Sequence, residues 1–386
     1  MDVRGAGEFV LARLNAAGYA AYFVGGMVRD DMLGLEVFDV DVTTSALPED
    51  VRLVFDRVYD TGISHGTVTV VVEDVAVEVT TFRVDGDYLD SRRPDGVVFT
   101  ASLDLDLKRR DFTINAMARS IDGKVHDPFG GILDLSDGLI RAVGEARVRF
   151  EEDALRILRA IRFVSKLGFD VEEQTIRAMK ECAFEVSNLS WERVRKEFVG
   201  IILGDSSVKA FGLLFETDVF ASLEFFSVLC NFELFSFEQI DSLVCLLALV
   251  AVELDDMDRF LGVFPFTRLE RKLVRDVVYA RECELDPRVI QYRYGIDVAR
   301  VSHALECFYE QRDGCFSEAN LIIDCRKDLA VTTSDILEFS GRSPGDWLGR
   351  TFQMLEECVL LGRIPNRRQD IFNFINDRGL VDEKED

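Results

Sequence analysis

Four short patterns in the 386-residue chain carry side chains able to do chemistry. The first is Asp39-Val40-Asp41, inside a stretch, Val37 to Thr43, that alternates like a β-strand. Strand residues two apart project to the same side, so both carboxylates reach one point. Adjacent carboxylates repel unless a cation lies between them, and hard oxygen ligands suit magnesium. Glu78 adds a third oxygen if its strand runs alongside. The second pattern, Gly25-Gly26-Met27-Val28-Arg29-Asp30, follows an apolar strand. Paired glycines let backbone N–H groups approach phosphate oxygens closely, and Arg29 can hold one. The third is Lys108-Arg109-Arg110-Asp111, a basic triplet leading into the apolar Phe112-Thr113-Ile114-Asn115-Ala116 and suited to sugar or phosphate contacts. The fourth places Asp153, Arg156, Arg159 and Arg162 three residues apart, a slowly spiralling polar stripe opposite Ala154, Leu155, Ile157, Leu158 and Ile161. Each has an ordinary alternative: a strand–helix turn, a solvated acidic strand face, a charged loop, an exposed helix face laced with ion pairs. Three arginines on one stripe with few intervening acids weigh toward an anionic ligand.

The elements that must position these residues are legible from periodicity. Residues 8–17 read as a helix stopped by Gly18, and Tyr19 to Val24 as a strand. TVTVVV (67–72) and VAVEVTTF (75–82), separated by Glu73-Asp74, read as a hairpin. Beyond Gly144 the pattern is almost wholly helical, with 150–169 reading as one helix ended by Gly168. The fold class is therefore α+β: a small mixed-sheet head followed by all-α modules.

Charge divides the chain in the same places. The net is −11 over 1–143, −1 over 144–205 and −13 over 206–386, for a total of −25. A polyanion is drawn first to the nearly neutral, arginine-rich middle. A hydrophobic content of 48% excludes a disordered chain. The longest uncharged apolar run, Leu243 to Val252, is about half a membrane span, so a soluble cytoplasmic protein without membrane association is expected. Eight cysteines without a C-x-x-C pair, beside only three histidines, argue against structural zinc.

Taken in order, GGMVRD, FDVDVTT, EVTTFR, KRRDFTINA and EDALRILRAIRF resemble the class II tRNA nucleotidyltransferases, the CCA-adding enzymes of the polymerase β superfamily. CRKDLAVTTSDIL, SPGDWLG and LEECVLLGRIPNRRQDI are similar to the tail of the bacterial long form, while 206–320 matches loosely. The resemblance implies a catalytic nucleotidyltransferase head (1–143), a neck that recognises the base (144–205), a body (206–320) and a tRNA-binding tail (321–386). It implies that Asp39 and Asp41 bind Mg2+, with Glu78 a third catalytic carboxylate. Gly26, Arg29, Arg110, Asp153, Arg156, Arg159 and Arg162 would bind the nucleotide. The reaction implied is template-independent addition of CCA to the 3′ end of tRNA from CTP and ATP, releasing pyrophosphate by two-metal-ion transfer.

Donor and acceptor patterns offer a reason why a protein can choose the base. Asp153 only accepts and Arg156 only donates. Cytosine and adenine each present an amine beside an acceptor nitrogen; uracil and guanine present the reverse, so they meet like against like at a discrimination of about 10⁴. The polar stretch from Arg83 to Leu107, with Asp90-Ser91-Arg92-Arg93-Pro94-Asp95, resembles the loop that CCA-adding and A-adding relatives use to change from C to A. That loop speaks against CC-only addition, and the lack of a basic C-terminal tail against poly(A) synthesis. A-only addition stays open, as do oligomeric state and the body and tail contacts. The intact Asp39/Asp41 pair speaks against a catalytically silent RNA-binding protein on the same fold.

Overall fold

In the computed structural model, which describes residues 1–85 and 97–378, the chain opens with helix α1 (Val3–Ala16). Ala6, Val10, Leu11 and Leu14 form its buried face, and the Asp2 side chain caps its start. Then follow β1 (Ala21–Val24), α2 (Gly26–Met32), β2 (Asp41–Thr44), α3 (Pro48–Val54), β3 (Val58–Gly62), β4 (Thr67–Val72) and β5 (Val75–Thr81). The β4–β5 hairpin turns at Glu73-Asp74 as its alternation predicts, burying Val68, Val70, Val77 and Val79. A small ribbon of β6 (Arg83–Asp85) and β7 (Val97–Phe99) leads to α4 (Leu103–Lys108), β8 (Ala118–Arg119) and β9 (Val125–His126). The seven-stranded sheet has the order β3-β4-β5-β2-β1-β8-β9. Within this sheet, among the described residues, only β2 and β5 pair in parallel, in a register that sets Asp41 beside Glu78.

One expectation shifts here. The strand carrying the paired aspartates begins at Asp41 rather than Val37. Asp39 lies in the approach to it, exposed, although the Val40 carbonyl already accepts from the Glu78 N–H (3.3 Å). The reading of Asp90–Asp95 as part of a switching loop falls outside the described residues.

Helices α5 (Gly131–Asp137), α6 (Ala146–Glu152), α7 (Leu155–Leu167), α8 (Glu173–Cys182) and α9 (Trp191–Ile202) continue the chain. The single helix expected over 150–169 is two. The chain breaks at Asp153, whose backbone is extended (φ −154°, ψ 101°) and whose Oδ1 accepts from the Leu155 N–H (3.1 Å). An aspartate mid-pattern has capped a new helix instead of continuing the old one. Apolar periodicity runs through this joint undisturbed, which is why the break is silent in sequence. Gly168 ends α7 in the left-handed conformation, as its residue type suggests. Phe198, Phe220 and Phe226 stack nearby, with Trp191 of α9 against Phe225 and Phe226.

The described chain forms two compact units, Met1–Leu234 and Phe235–Asp386. The second is helical. Its core gathers Trp347, Phe352, Leu355, Val359 and Ile371, and Thr332 caps the helix Thr333–Ser340 reciprocally with Asp335.

Candidate active site

Three of the four sequence patterns meet at Gly25, between β1 and α2. Its φ of +67° is open to glycine and strained for other residues. A Cβ placed there would lie 3.4 Å from both Arg110 Nη1 and Asp41 Oδ2. The glycine therefore lets the turn lie against the carboxylate of β2 and the guanidinium that follows α4.

Asp106, fully buried, fixes that guanidinium. Its Oδ1 accepts from Arg109 Nε (3.0 Å) and Nη2 (2.7 Å), and its Oδ2 from Arg110 Nη2 (3.2 Å) and Thr43 Oγ1 (3.2 Å). Burial pushes its carboxyl up, but Arg110 and Arg109 outweigh that and hold it low. Thr43 belongs to β2, so one carboxylate ties the basic triplet to the strand of Asp41. Arg110 Nε is buried with no partner among the described residues.

Arg29 is nearly buried (4% exposed), donating to Asp30 Oδ1 (2.8 Å) and Asn115 Oδ1 (2.6 Å). Asn115 also donates to Asp111 Oδ1 (3.1 Å), and Asp111 Oδ2 accepts from Arg159 Nε (2.8 Å). Burial raises the Asp111 carboxyl, but Arg159, Asn115 and the Phe112 N–H hold it down at about 2. The stretch Phe112–Ala116 is buried and forms a short 3₁₀ turn at Thr113–Asn115. Arg162 donates to the buried Glu197 of α9 (2.6 Å). The guanidinium carbons of Arg29, Arg159 and Arg162 lie 5.0, 5.5 and 4.8 Å from the ring centre of Phe163.

These groups surround one cavity of about 810 Å³, whose lining includes Gly26, Arg29, Asp41, Arg110, Asp153, Arg156, Arg159 and Arg162. The structure thus brings eight of the ten sequence-derived site residues to one cleft. Arg156, Arg159 and Arg162 are half-buried, which disposes of the exposed-face alternative. Asp39 is outside that lining, and Glu78 lines an adjoining cavity of about 280 Å³ with Asp41, Arg109 and Arg110. Residues the sequence reading passed over are Asp106, Glu152, Phe163, Arg193 and Glu197, each of which touches or orients a residue it did find.

Asp153 and Arg156, read from the sequence as acceptor and donor for the base, are each held by other protein groups. Arg156 donates through Nη1 to Glu152 and to the Arg149 carbonyl (2.9 Å), and through Nη2 to the Arg109 carbonyl (3.0 Å). Asp153 is bound by Arg193.

The carboxylates fit a divalent cation. Burial raises the carboxyl of Asp41 above its ordinary value, Glu78 and Asp39 raise it further, and Arg110 opposes them. Like charges converging on one half-buried carboxylate are relieved by a cation between them. Among the described residues no group of three or more His, Cys, Asp or Glu side chains is gathered as a metal site; Asp41 and, beside it, Glu78 would be the carboxylates to hold the ion.

Comparison with known proteins decides the family. Residues 21–141 match the poly A polymerase head domain, 168–228 the "Probable RNA and SrmB- binding site of polymerase A", and 236–375 a tRNA nucleotidyltransferase domain 2. A CCA-adding enzyme of Listeria innocua is 37% identical over 382 residues, covering 94% of this chain and 95% of the relative. The chain belongs to the CCA-adding enzymes. That of Bacillus subtilis is likewise 37% identical, over 96% of this chain and 97% of its own. The crystal structure of the Bacillus stearothermophilus CCA-adding enzyme with CTP matches at a TM-score of 0.76 and 30% identity, covering 98% of each chain. The enzyme is thus a nucleotidyltransferase, a class that works with a divalent metal. No helix among its described residues is long and apolar enough to cross a membrane.

Proposed function

We propose that the enzyme adds C, C and A in turn to the 3′ end of tRNA, using CTP and ATP and releasing pyrophosphate. The observation that carries this reading is the single cavity joining Asp41 to Asp153 and the arginines of α7. Within it Gly26, Arg29 and Arg110 face the triphosphate; Asp153, Arg156, Arg159 and Arg162 face the sugar and base. Asp39 and Asp41 would hold Mg2+, with Glu78 beside Asp41 as a third carboxylate. Bound there, the metal would supply charge neutralisation and a lowered pKa of the primer 3′-hydroxyl.

The chain's own residues do the remainder. Arg110 and Arg29 place positive charge where the pyrophosphate develops negative charge. Asp153 accepts from the exocyclic amine of C or A and repels the carbonyl of U or G. Arg156 supplies the matching donor by exchanging Glu152 or a backbone carbonyl for the base nitrogen. Residues 1–143 act as the catalytic head, 144–205 as the base-recognising neck, 206–320 as the body and 321–386 as the tail that holds the acceptor arm by shape.

The test is to incubate tRNA lacking its three terminal nucleotides with CTP, ATP and magnesium and to size the product. Growth by three nucleotides supports the proposal. Growth by one, and only from a tRNA already ending in CC, replaces it with A-only addition.

A further inference from the structure

The base-reading carboxylate is held by a residue from a different helix. Arg193 lies in the first turn of α9 and reaches across to the joint between α6 and α7, where one nitrogen, Nη2, donates to both carboxylate oxygens of Asp153, at 3.0 Å (Oδ1) and 2.8 Å (Oδ2). Both side chains remain partly open, 41% and 32% exposed, and both line the main cavity. Trp191, two residues earlier, anchors this end of α9 against Phe225 and Phe226 at ring separations of 5.3 and 6.1 Å. One turn further along α9, Glu197 holds Arg162.

We propose that Arg193 is a positioning residue that sets base selectivity by fixing the Asp153 carboxylate. The inference rests on Asp153 being the base acceptor. A carboxylate offers about four lone-pair positions. At Asp153 the Leu155 N–H and Arg193 use Oδ1, and Arg193 uses one side of Oδ2. What remains is an acceptor position on Oδ2, which a single amine donor can occupy. Asp153 sits in the extended joint between α6 and α7; its N–H donates to the Arg149 carbonyl and its carbonyl accepts from the Arg156 N–H, so the backbone is pinned while the side chain depends on its two donors. Remove Arg193 and only the Leu155 N–H restrains it. The carboxylate can then turn away from a mismatched carbonyl, and the penalty on U and G falls.

The one-nitrogen geometry makes a further statement. Lysine carries one charged nitrogen on a flexible stem and can span both oxygens as Nη2 does, whereas methionine keeps the length and loses the donor. The experiment compares kcat/KM for CTP with that for UTP on tRNA lacking its three terminal nucleotides. Arg193→Met is expected to lower the CTP/UTP ratio by about tenfold or more, and Arg193→Lys to restore most of it. Tenfold is the size expected for one charge-assisted hydrogen bond. If Arg193→Met turns over too slowly to assay, CTP and UTP affinities by calorimetry provide the ratio. In an Asp153→Ala background Arg193→Met should change the ratio no further. An unchanged ratio in Arg193→Met, or an equal further drop in the Asp153→Ala background, overturns the inference. An unchanged ratio in Asp153→Ala alone overturns the base-acceptor reading beneath it, so the two failures are separable.

Discussion

Replacing Asp111 with asparagine isolates one electrostatic contact at the site and makes its strength measurable. In the native protein Asp111 Oδ1 accepts from the Phe112 N–H (2.8 Å) and from Asn115, and Oδ2 accepts from Arg159. Asparagine keeps the shape and the Oδ1 acceptor but turns an amide donor toward the Arg159 guanidinium. The carboxyl falls from 3.8 to about 2, which corresponds to about 2 kcal/mol of folding free energy. Because the folded value is depressed, this stability is fully present above the unfolded value near 3.8. It is lost as pH falls through about 2, and roughly half should remain at pH 3. The chain has two tryptophans, Trp191 in the first compact unit and Trp347 in the second. Urea titration followed by fluorescence in a Trp347→Phe background therefore reports on the unit that contains Asp111. Asp111→Asn should lower that unit's stability by about 2 kcal/mol at pH 7, with the difference shrinking between pH 4 and pH 2. A destabilisation of the same size throughout that range, or none at pH 7, would refute the reasoning, because the contact would then not be ionic.

Three further outcomes follow from the same geometry. Arg159→Ala should raise KM for CTP and ATP by about tenfold or more while leaving tRNA affinity, measured by filter binding, within a factor of two or so; loss of tRNA binding alone would place Arg159 on the RNA instead. Gly25→Ala forces a side chain into a φ of +67° with Asp41 and Arg110 3.4 Å from its Cβ, and should cost about 1–3 kcal/mol in thermal or urea unfolding and reduce kcat. Chelation with EDTA should abolish nucleotide transfer yet leave far-UV circular dichroism unchanged, since no cluster of three metal-ligating side chains braces the described fold; unfolding on chelation would contradict that.

Local periodicity made much of this architecture legible. The β4–β5 hairpin is visible because valine and threonine alternate on both sides of a two-residue turn. The cavity's lining was legible where residue type and spacing agree, as along Arg156, Arg159 and Arg162. What escaped depends on contacts distant in sequence. Arg193 stands 40 residues from Asp153 and Glu197 35 from Arg162, and nothing beside either on α9 marks it as part of a cleft. The break at Asp153 escaped for a different reason: the apolar pattern from Phe150 to Ile161 keeps a helical period across it, and only the hydrogen bond from the Leu155 N–H shows that the aspartate begins a new helix. The late start of β2 reflects the same limit, since alternation carries on through Asp39 where strand pairing has not begun.

The guanidinium carbons of Arg29, Arg159 and Arg162 lie within 5.5 Å of the Phe163 ring centre, while each arginine is also tied to a carboxylate of its own, Asp30, Asp111 or Glu197. An aromatic face attracts a cation without cancelling its charge. A phenylalanine at this hub therefore lets three guanidinium groups crowd one wall of the cleft without a fourth carboxylate among them.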